Sequence, residues 1–169
     1  MNDFAELVER HQAMVFRTLA RLIGRREGLE DMAQEVFLRL FRALPQFRRE
    51  ASVSTFLYRI VVNVVNDEFR RLEKARLAVS IEDHELTSQW ADPEHALERD
   101  QLQRAVDDAL LRLSAPDRAI LILHYQEERS YEEIAAILGL PMGTVKTNLY
   151  RARQRLKVMM EEWIPCGIN

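Results

Sequence analysis

Three stretches of the chain repeat apolar residues at intervals of three and four, which is the spacing of one face of an α-helix. The clearest stretch covers residues 29–44 and stops at Pro45, and similar stripes run over residues 4–23 and 56–72. Because the 169 residues include only 5 Gly and 5 Pro, long helices are favoured over many short strands. The sequence therefore predicts an all-α fold.

A polar segment interrupts this periodicity and divides the chain. Residues 75–96 carry Ser, Thr, Asp and Pro in place of an apolar stripe, and residues 76–100 hold two basic residues against seven acidic ones. Periodicity resumes at Leu97. We expect two small helical domains, residues 1–74 and 97–169, joined by a flexible acidic linker at residues 75–96.

Residues 130–157 have the layout of a helix-turn-helix. Ser130 and Glu133 have the spacing of a capping box at the start of the first helix, and Gly139 supplies the turn. The second helix is predicted over residues 142–157. The residues expected to face inward are Ile134, Ala135 and Leu138 on the first helix and Val145, Leu149, Ala152 and Leu156 on the second.

The second helix is basic although the whole chain is acidic. The net charge is −3, yet residues 141–157 hold five basic residues and no acidic one, which indicates a polyanion partner at one surface. The charge alone could belong to a solvated basic face on an ordinary helical hairpin. The helix cap, the glycine turn and the apolar stripe occur together at the right spacing, however, and this favours a helix that binds in the DNA major groove. The expected base-reading residues are Lys146, Thr147, Tyr150, Arg151 and Gln154, and the expected phosphate-binding residues are Arg153, Arg155 and Lys157.

Two helices of the N-terminal domain carry polar faces, and each face can be interpreted either as a binding surface or as an ordinary solvated surface. The face of the helix over residues 29–44 consists of Asp31, Gln34, Glu35, Leu38 and Arg42. It fits a protein-docking patch with Leu38 as the apolar anchor, but the residues alone favour a solvated face with one exposed leucine. On the third helix, amides, charges and aromatic rings suit the unstacked bases of single-stranded DNA, but the residues alone favour a solvated face beside core aromatics. Those residues are Phe56, Tyr58, Asn63, Asn66, Asp67, Arg70 and Arg71.

Three blocks of the sequence, in order, resemble bacterial sigma factors of the extracytoplasmic-function group. EDMAQEVFLRLFRAL and STFLYRIVVNVVNDEFRR are similar to sigma region 2, and LLRLSAPDRAILILHYQEERSYEEIAAILGLPMGTVKTNLYRARQRLK is similar to region 4. The resemblance covers nearly the whole chain. It implies a protein that binds core RNA polymerase, through its β′ and β subunits, and directs it to particular promoters.

The resemblance also implies roles for the surfaces named above. Asp31, Gln34, Glu35 and Leu38 are expected to contact the clamp helices of the β′ subunit. Asn63 and its polar neighbours on the third helix are expected to capture a flipped base of the minus-ten element. Lys146, Thr147, Tyr150 and Arg151 are expected to read the minus-thirty-five element as duplex. An anti-sigma factor is an implied partner that would cover region 2, region 4 or both.

The sequence departs from the usual pattern of that family at three positions. Phe56 stands where the family usually has Trp, which weakens the expected stacking on a base. Val61 and Val62 replace the usual Ala and Arg before Asn63, which removes one expected base contact. These departures affect how the promoter bases are contacted, and they do not change the class of protein that the resemblance implies.

Nothing in the sequence indicates an enzyme, a cofactor, a metal site or a small-molecule substrate. His11, His84, His95 and His124 are scattered, and the single Cys166 excludes an internal disulfide. Without a membrane-length apolar run or a signal peptide, a soluble cytoplasmic protein is expected. Two rival functions are a stand-alone helix-turn-helix regulator that binds duplex operators as a dimer and a sigma-like protein that sequesters another regulator.

Overall fold

The computed structural model describes residues 2–47, 52–78 and 99–161, and all regular structure within those ranges is helical. The prediction of an all-α fold is confirmed. Residues 79–98, which include most of the predicted linker, and Cys166 lie outside the described residues. The helices are α1 (Asn2–Ile23), α2 (Leu29–Ala43), α3 (Val53–Ala78), α4 (Arg99–Arg112), α5 (Ala115–Leu121), α6 (Tyr131–Leu138) and α7 (Met142–Glu161), with a 3₁₀ turn at Leu44–Gln46 and a π-helical turn at Ile122–Gln126.

The first three helices pack against one another around one apolar core. The residues with no exposed surface there include Val15, Leu19, Val36, Leu40 and Leu57, so each helix contributes its predicted stripe. The prediction that Pro45 stops the second helix is confirmed, since α2 ends at Ala43 and Pro45 lies in the 3₁₀ turn. The third helix continues through Ala78.

The turn between α1 and α2 depends on glycine. Gly24 and Gly28 have φ values of +72° and +77°. Residues that carry a Cβ rarely adopt this left-handed backbone conformation. Gly24 is also buried, and a Cβ added there would overlap the side chain of Leu111 in α4. The end of α1 therefore lies directly against the C-terminal half of the chain.

Helices α6 and α7 form the predicted helix-turn-helix. Ser130 Oγ accepts a hydrogen bond from Glu133 N at 3.1 Å, and the Glu133 carboxylate accepts from Ser130 N at 2.8 Å, so the capping box is confirmed. Gly139 ends α6 with φ +64°. Val145, Leu149 and Ala152 are buried as predicted, and Leu156 is half-buried. On α6, Ile134 is buried as predicted, and Ala135 and Leu138 are half-buried against the core. Ile137, which was not predicted, is buried as well, because α6 packs against both α7 and α3.

The two halves of the chain contact each other directly, α3 against α6 and α1 against α5. Arg118 of α5 is buried at this contact and lies 5.4 Å from the centre of the Phe69 ring of α3. Burial lowers the pKa of Arg118 to about 10, so the guanidinium remains protonated at neutral pH. It donates hydrogen bonds to backbone carbonyls at the C-terminal ends of α1 and α4, where the helix dipoles favour a cation. The acceptors are the oxygens of Leu22 (2.7 Å), Leu110 (2.9 Å), Leu111 (2.8 Å) and Leu113 (3.1 Å).

Candidate nucleic-acid and protein interfaces

The polar face of α7 points away from the core of the helix-turn-helix. All five residues expected to read bases, Lys146, Thr147, Tyr150, Arg151 and Gln154, are exposed. Thr147 donates its hydroxyl proton to the Gly143 carbonyl at 3.0 Å, and the Lys146 ammonium lies 5.8 Å from the Tyr131 ring. A helix with this exposed face is shaped to enter a DNA major groove.

The three residues expected to bind phosphates already have partners inside the chain. Arg155 pairs with Asp117, whose side chain is only 11% exposed. Arg153 donates a hydrogen bond to the Tyr125 hydroxyl at 3.1 Å, and Lys157 lies 3.7 Å from Glu161. The Arg155 side chain is 57% exposed and pairs with Asp117 through one nitrogen, so its other donors remain available to a phosphate.

The exposed face of α2 holds the residues expected to bind another protein. Asp31, Gln34 and Arg42 are exposed, and the apolar side chain of Leu38 is 48% exposed among them. Glu35 is half-buried because it accepts a hydrogen bond from Arg39 at 2.7 Å. This arrangement presents the apolar side chain of Leu38 among polar groups, and Phe41, three residues further along α2, is also 59% exposed.

Arg39 connects that face to α3. Its guanidinium donates to Glu35 of α2 and also to Asp67 of α3, at 2.8 Å. These two hydrogen bonds hold the pKa of Arg39 above its usual value. Glu35 and Asp67, which the sequence assigned to different surfaces, therefore share one cation.

The outer surface of α3 carries most of the residues expected to bind single-stranded DNA. Asn63, Arg70 and Arg71 are exposed, whereas Asn66 and Asp67 are half-buried. Asp67 and Glu68 accept hydrogen bonds from Arg70 (3.2 Å) and Arg71 (2.8 Å), so the two arginines are paired along the helix. Phe56 is half-buried against Phe47, with ring centres 5.0 Å apart.

Tyr58 lies apart from this surface, buried between the two halves of the chain with 3% of its area exposed. Its hydroxyl donates a hydrogen bond to Glu127 at 2.7 Å. Burial and this bond raise the pKa of Tyr58 to about 12. In this packing Tyr58 is therefore enclosed and has no surface for a DNA base.

Glu127, which follows the π-helical turn, is the centre of this contact, and its side chain is 1% exposed. Besides Tyr58, the carboxylate accepts hydrogen bonds from Arg21 at 2.7 Å and Arg17 at 3.3 Å. Burial by itself raises the pKa of Glu127, but these three donors outweigh it and bring the pKa below the usual value. The carboxylate is thus ionised at neutral pH.

Sequence reasoning did not single out Glu127 or Arg118. One signal was available for Arg118, a charged residue within the apolar segment that forms α5 and the turn after it. Glu127 stands in a polar run with no such signal, because its donors belong to α1 and α3.

Neither a metal centre nor a membrane span is found where the structure is described. Residues 2–47, 52–78 and 99–161 contain no group of three His, Cys, Asp or Glu side chains placed to hold a metal ion. Within the same ranges, no helix combines the length and apolar character needed to cross a bilayer.

A helix-turn-helix with an exposed basic reading face, beside a second helical domain, defines a DNA-binding protein of the helix-turn-helix class. The Sigma-70 region 2 family matches residues 7–75, and the Sigma-70 region 4 family matches residues 103–156. The ECF RNA polymerase sigma factor SigM of Mycobacterium tuberculosis is 35% identical over 168 residues, which cover 98% of this chain and 81% of that protein. SigE of Mycolicibacterium smegmatis, also an ECF RNA polymerase sigma factor, is 34% identical over 158 residues, 93% of this chain and 61% of the relative. The chain belongs to the ECF RNA polymerase sigma factors, which are transcription initiation factors.

Two solved structures share the fold. The sigma factor RpoE from Bartonella quintana, solved in complex with the anti-sigma factor NepR, superimposes with a TM-score of 0.77 at 22% identity, over 95% of this chain and 98% of that one. CnrH, solved in complex with the cytosolic domain of CnrY, gives a TM-score of 0.66 at 27% identity, over 94% of this chain and 88% of that one.

Proposed function

We propose that this sigma factor binds core RNA polymerase through α2, captures the melted minus-ten element on α3 and reads the minus-thirty-five element as duplex with α7. The observation that carries this assignment is the exposure of all five base-reading candidates on α7. The exposed Leu38 patch and the surface around Asn63 lie on the other domain and support the two remaining roles. The protein acts in the cytoplasm, and the polymerase supplies the catalysis.

The proposed binding roles are divided between the two domains expected from the sequence. Residues 1–74 serve polymerase binding and the minus-ten element, residues 97–169 serve the minus-thirty-five element, and residues 75–96 join them. We also propose control by an anti-sigma factor that covers one or both domains. CnrH, a relative of the same fold, is bound to the cytosolic domain of CnrY in its solved structure, which supports a protein partner of this kind.

In vitro transcription tests the proposal directly. Purified bacterial core polymerase is supplied with fragmented DNA from the genome that encodes the protein, with and without the protein, and transcript starts are mapped. We expect discrete starts that require the protein. If starts are absent and the protein does not bind core polymerase, a stand-alone regulator is favoured instead. Binding to core without starts would favour a sequestering role.

Arg151→Ala is expected to relax discrimination at one or two positions of the minus-thirty-five element. Arg151 is exposed on the reading face of α7, and a bidentate contact from arginine to guanine contributes about 1–3 kcal/mol of discrimination. Competition binding with single-base variants of a mapped promoter measures the effect. Arg153→Ala is the matched control, because loss of a phosphate contact weakens all sequences equally. A uniform loss for Arg151→Ala would exclude a base contact.

Asn63→Ala is expected to reduce open-complex formation more than closed-complex binding. Asn63 is exposed on α3, and capture of an unstacked base stabilises only the melted state, where unstacking costs a few kcal/mol. Permanganate reactivity of melted thymines and filter binding at low temperature measure the two steps separately. Glu73→Ala, at an exposed position further along α3, serves as the control. Equal losses in both steps would contradict base capture.

A further inference from the structure

The contact around Glu127 has no part in the proposed function, although it is nearly inaccessible to solvent. Three donors from the N-terminal domain, the Tyr58 hydroxyl and the guanidinium groups of Arg17 and Arg21, converge on one carboxylate of the C-terminal domain at 2.7–3.3 Å. The backbone carbonyl of Glu127 also accepts a hydrogen bond from Arg129 at 2.7 Å, and the Arg129 guanidinium lies 5.4 Å from the Tyr58 ring. Region 2 therefore carries a preformed set of hydrogen-bond donors that can bind an anion.

The packed arrangement is too short to occupy a whole promoter. From Asn63 to Lys146, the path through the Tyr58–Glu127 hydrogen bond and the Lys146–Tyr131 contact is at most about 50 Å, counting 1.5 Å per helical residue and about 3.6 Å per extended residue. Elements centred at minus ten and minus thirty-five are roughly 25 base pairs apart, about 85 Å of B-DNA. The two domains must separate before both elements are bound, and Glu127 then leaves its donors.

Separation uncovers the donors on the face of the N-terminal domain that packs against region 4. Arg17 and Arg21 already have side chains 49% and 35% exposed at the edge of the contact, whereas the Tyr58 hydroxyl is covered by region 4. Two guanidinium groups and a hydroxyl that satisfy a carboxylate also match the oxygens of a phosphate diester, which arginine recognises in the same way. Once Glu127 has left, two cations and a hydroxyl lack their acceptor, which favours binding of a phosphate in its place.

We propose that Arg17, Arg21 and Tyr58 form a binding site for a backbone phosphate of promoter DNA, which Glu127 occupies while the two domains are packed together. The inference rests on the proposed placement of promoter DNA on the N-terminal domain. Glu127 and the phosphate compete for the same donors, so the packed chain has lower affinity for DNA on region 2 than the separated chain. This competition couples domain separation to promoter binding.

Glu127→Gln tests the proposal in the full chain, with Glu128→Gln as its matched control. Glu128 is the exposed neighbour, so both variants change the net charge equally. The probe is a fluorescein-labelled single-stranded oligothymidylate of about 20 nucleotides, whose anisotropy reports binding at low salt. We expect Glu127→Gln to increase the radius of gyration in small-angle scattering and to tighten oligonucleotide binding about three- to tenfold, with less than a twofold change for Glu128→Gln.

The double variant Arg17→Ala/Arg21→Ala separates the phosphate site from the packing of the domains. It also removes donors from Glu127, so we expect a larger radius of gyration, but without tighter oligonucleotide binding. Tyr58→Phe keeps the ring and removes one donor, so it provides a milder variant with the same expected expansion if Glu127→Gln folds poorly. These assays use no polymerase, so failure of the chain to support transcription would refute the proposed function without affecting them.

Three results would overturn the inference. Equal tightening by Glu127→Gln and Glu128→Gln would mean that net charge alone acts. Tight oligonucleotide binding by the arginine double variant, matching that of Glu127→Gln, would mean that the contact holds the domains together without being a phosphate site. An unchanged radius of gyration in Glu127→Gln and Tyr58→Phe would mean that Glu127 does not control the packing.

Discussion

Replacing Leu38 with aspartate is expected to abolish binding to core RNA polymerase, with at least a ~100-fold loss of affinity. Leu38 is 48% exposed on α2 and is the apolar member of an otherwise polar patch. An apolar anchor at the centre of an interface is desolvated on binding, and a carboxylate in its place would have to be buried unpaired. The fold should tolerate the change, because aspartate costs less than about 1 kcal/mol relative to leucine at an exposed helical position.

The control for this variant is a second exposed leucine in the same domain. Leu77 is 80% exposed near the C-terminal end of α3, away from the α2 patch. We expect Leu77→Asp to bind core polymerase normally in a titration followed by native gel or fluorescence. Leu38→Asp should keep the duplex binding that depends on α7. Unchanged core affinity in Leu38→Asp would remove this residue from the docking patch.

Arg118→Ala is expected to produce the largest loss of stability, about 3–5 kcal/mol of unfolding free energy. The guanidinium supplies hydrogen bonds to four backbone carbonyls, and its side chain fills the space between α4, α5 and the Phe69 ring. Truncation leaves those carbonyls without their donor and opens a cavity in a buried contact.

Urea unfolding followed by circular dichroism measures this loss. Arg118→Lys is the informative comparison, because an ammonium group keeps the charge but has three donors in place of the planar fork, so we expect an intermediate loss. Arg59→Ala, at an exposed position on α3, controls for removal of an arginine as such. A loss below about 1 kcal/mol for Arg118→Ala would show that water replaces the guanidinium at its carbonyls.

Local features of this fold were predictable from the sequence because their causes are local. The apolar stripes of α1 to α3, the Ser130–Glu133 capping box and the left-handed Gly139 each depend on residues a few positions apart. The exposed face of α7 followed from its buried stripe, since the two faces of a helix are related by its period.

The contact between the domains was not predictable in the same way. Tyr58 and Glu127 are 69 residues apart, and Arg118 and Leu22 are 96 apart, so no spacing along the chain relates them. Tyr58 lies beside aromatic and polar residues that the sequence groups as one DNA surface, but it points to the opposite domain. Side-chain partners at that range are set by how the helices pack, and periodicity does not encode this.

The absence of a side chain at Gly24 has a consequence for interpreting homologous sequences. Its φ of +72° would accept an asparagine at modest cost, since asparagine tolerates the left-handed region, but any Cβ there would displace Leu111. The backbone therefore tolerates asparagine as well as glycine at this position, but only glycine leaves the Leu111 side chain where it is. A relative with glycine at the equivalent position leaves this space open, and a relative with asparagine can form the same turn only if the side chain equivalent to Leu111 takes another position.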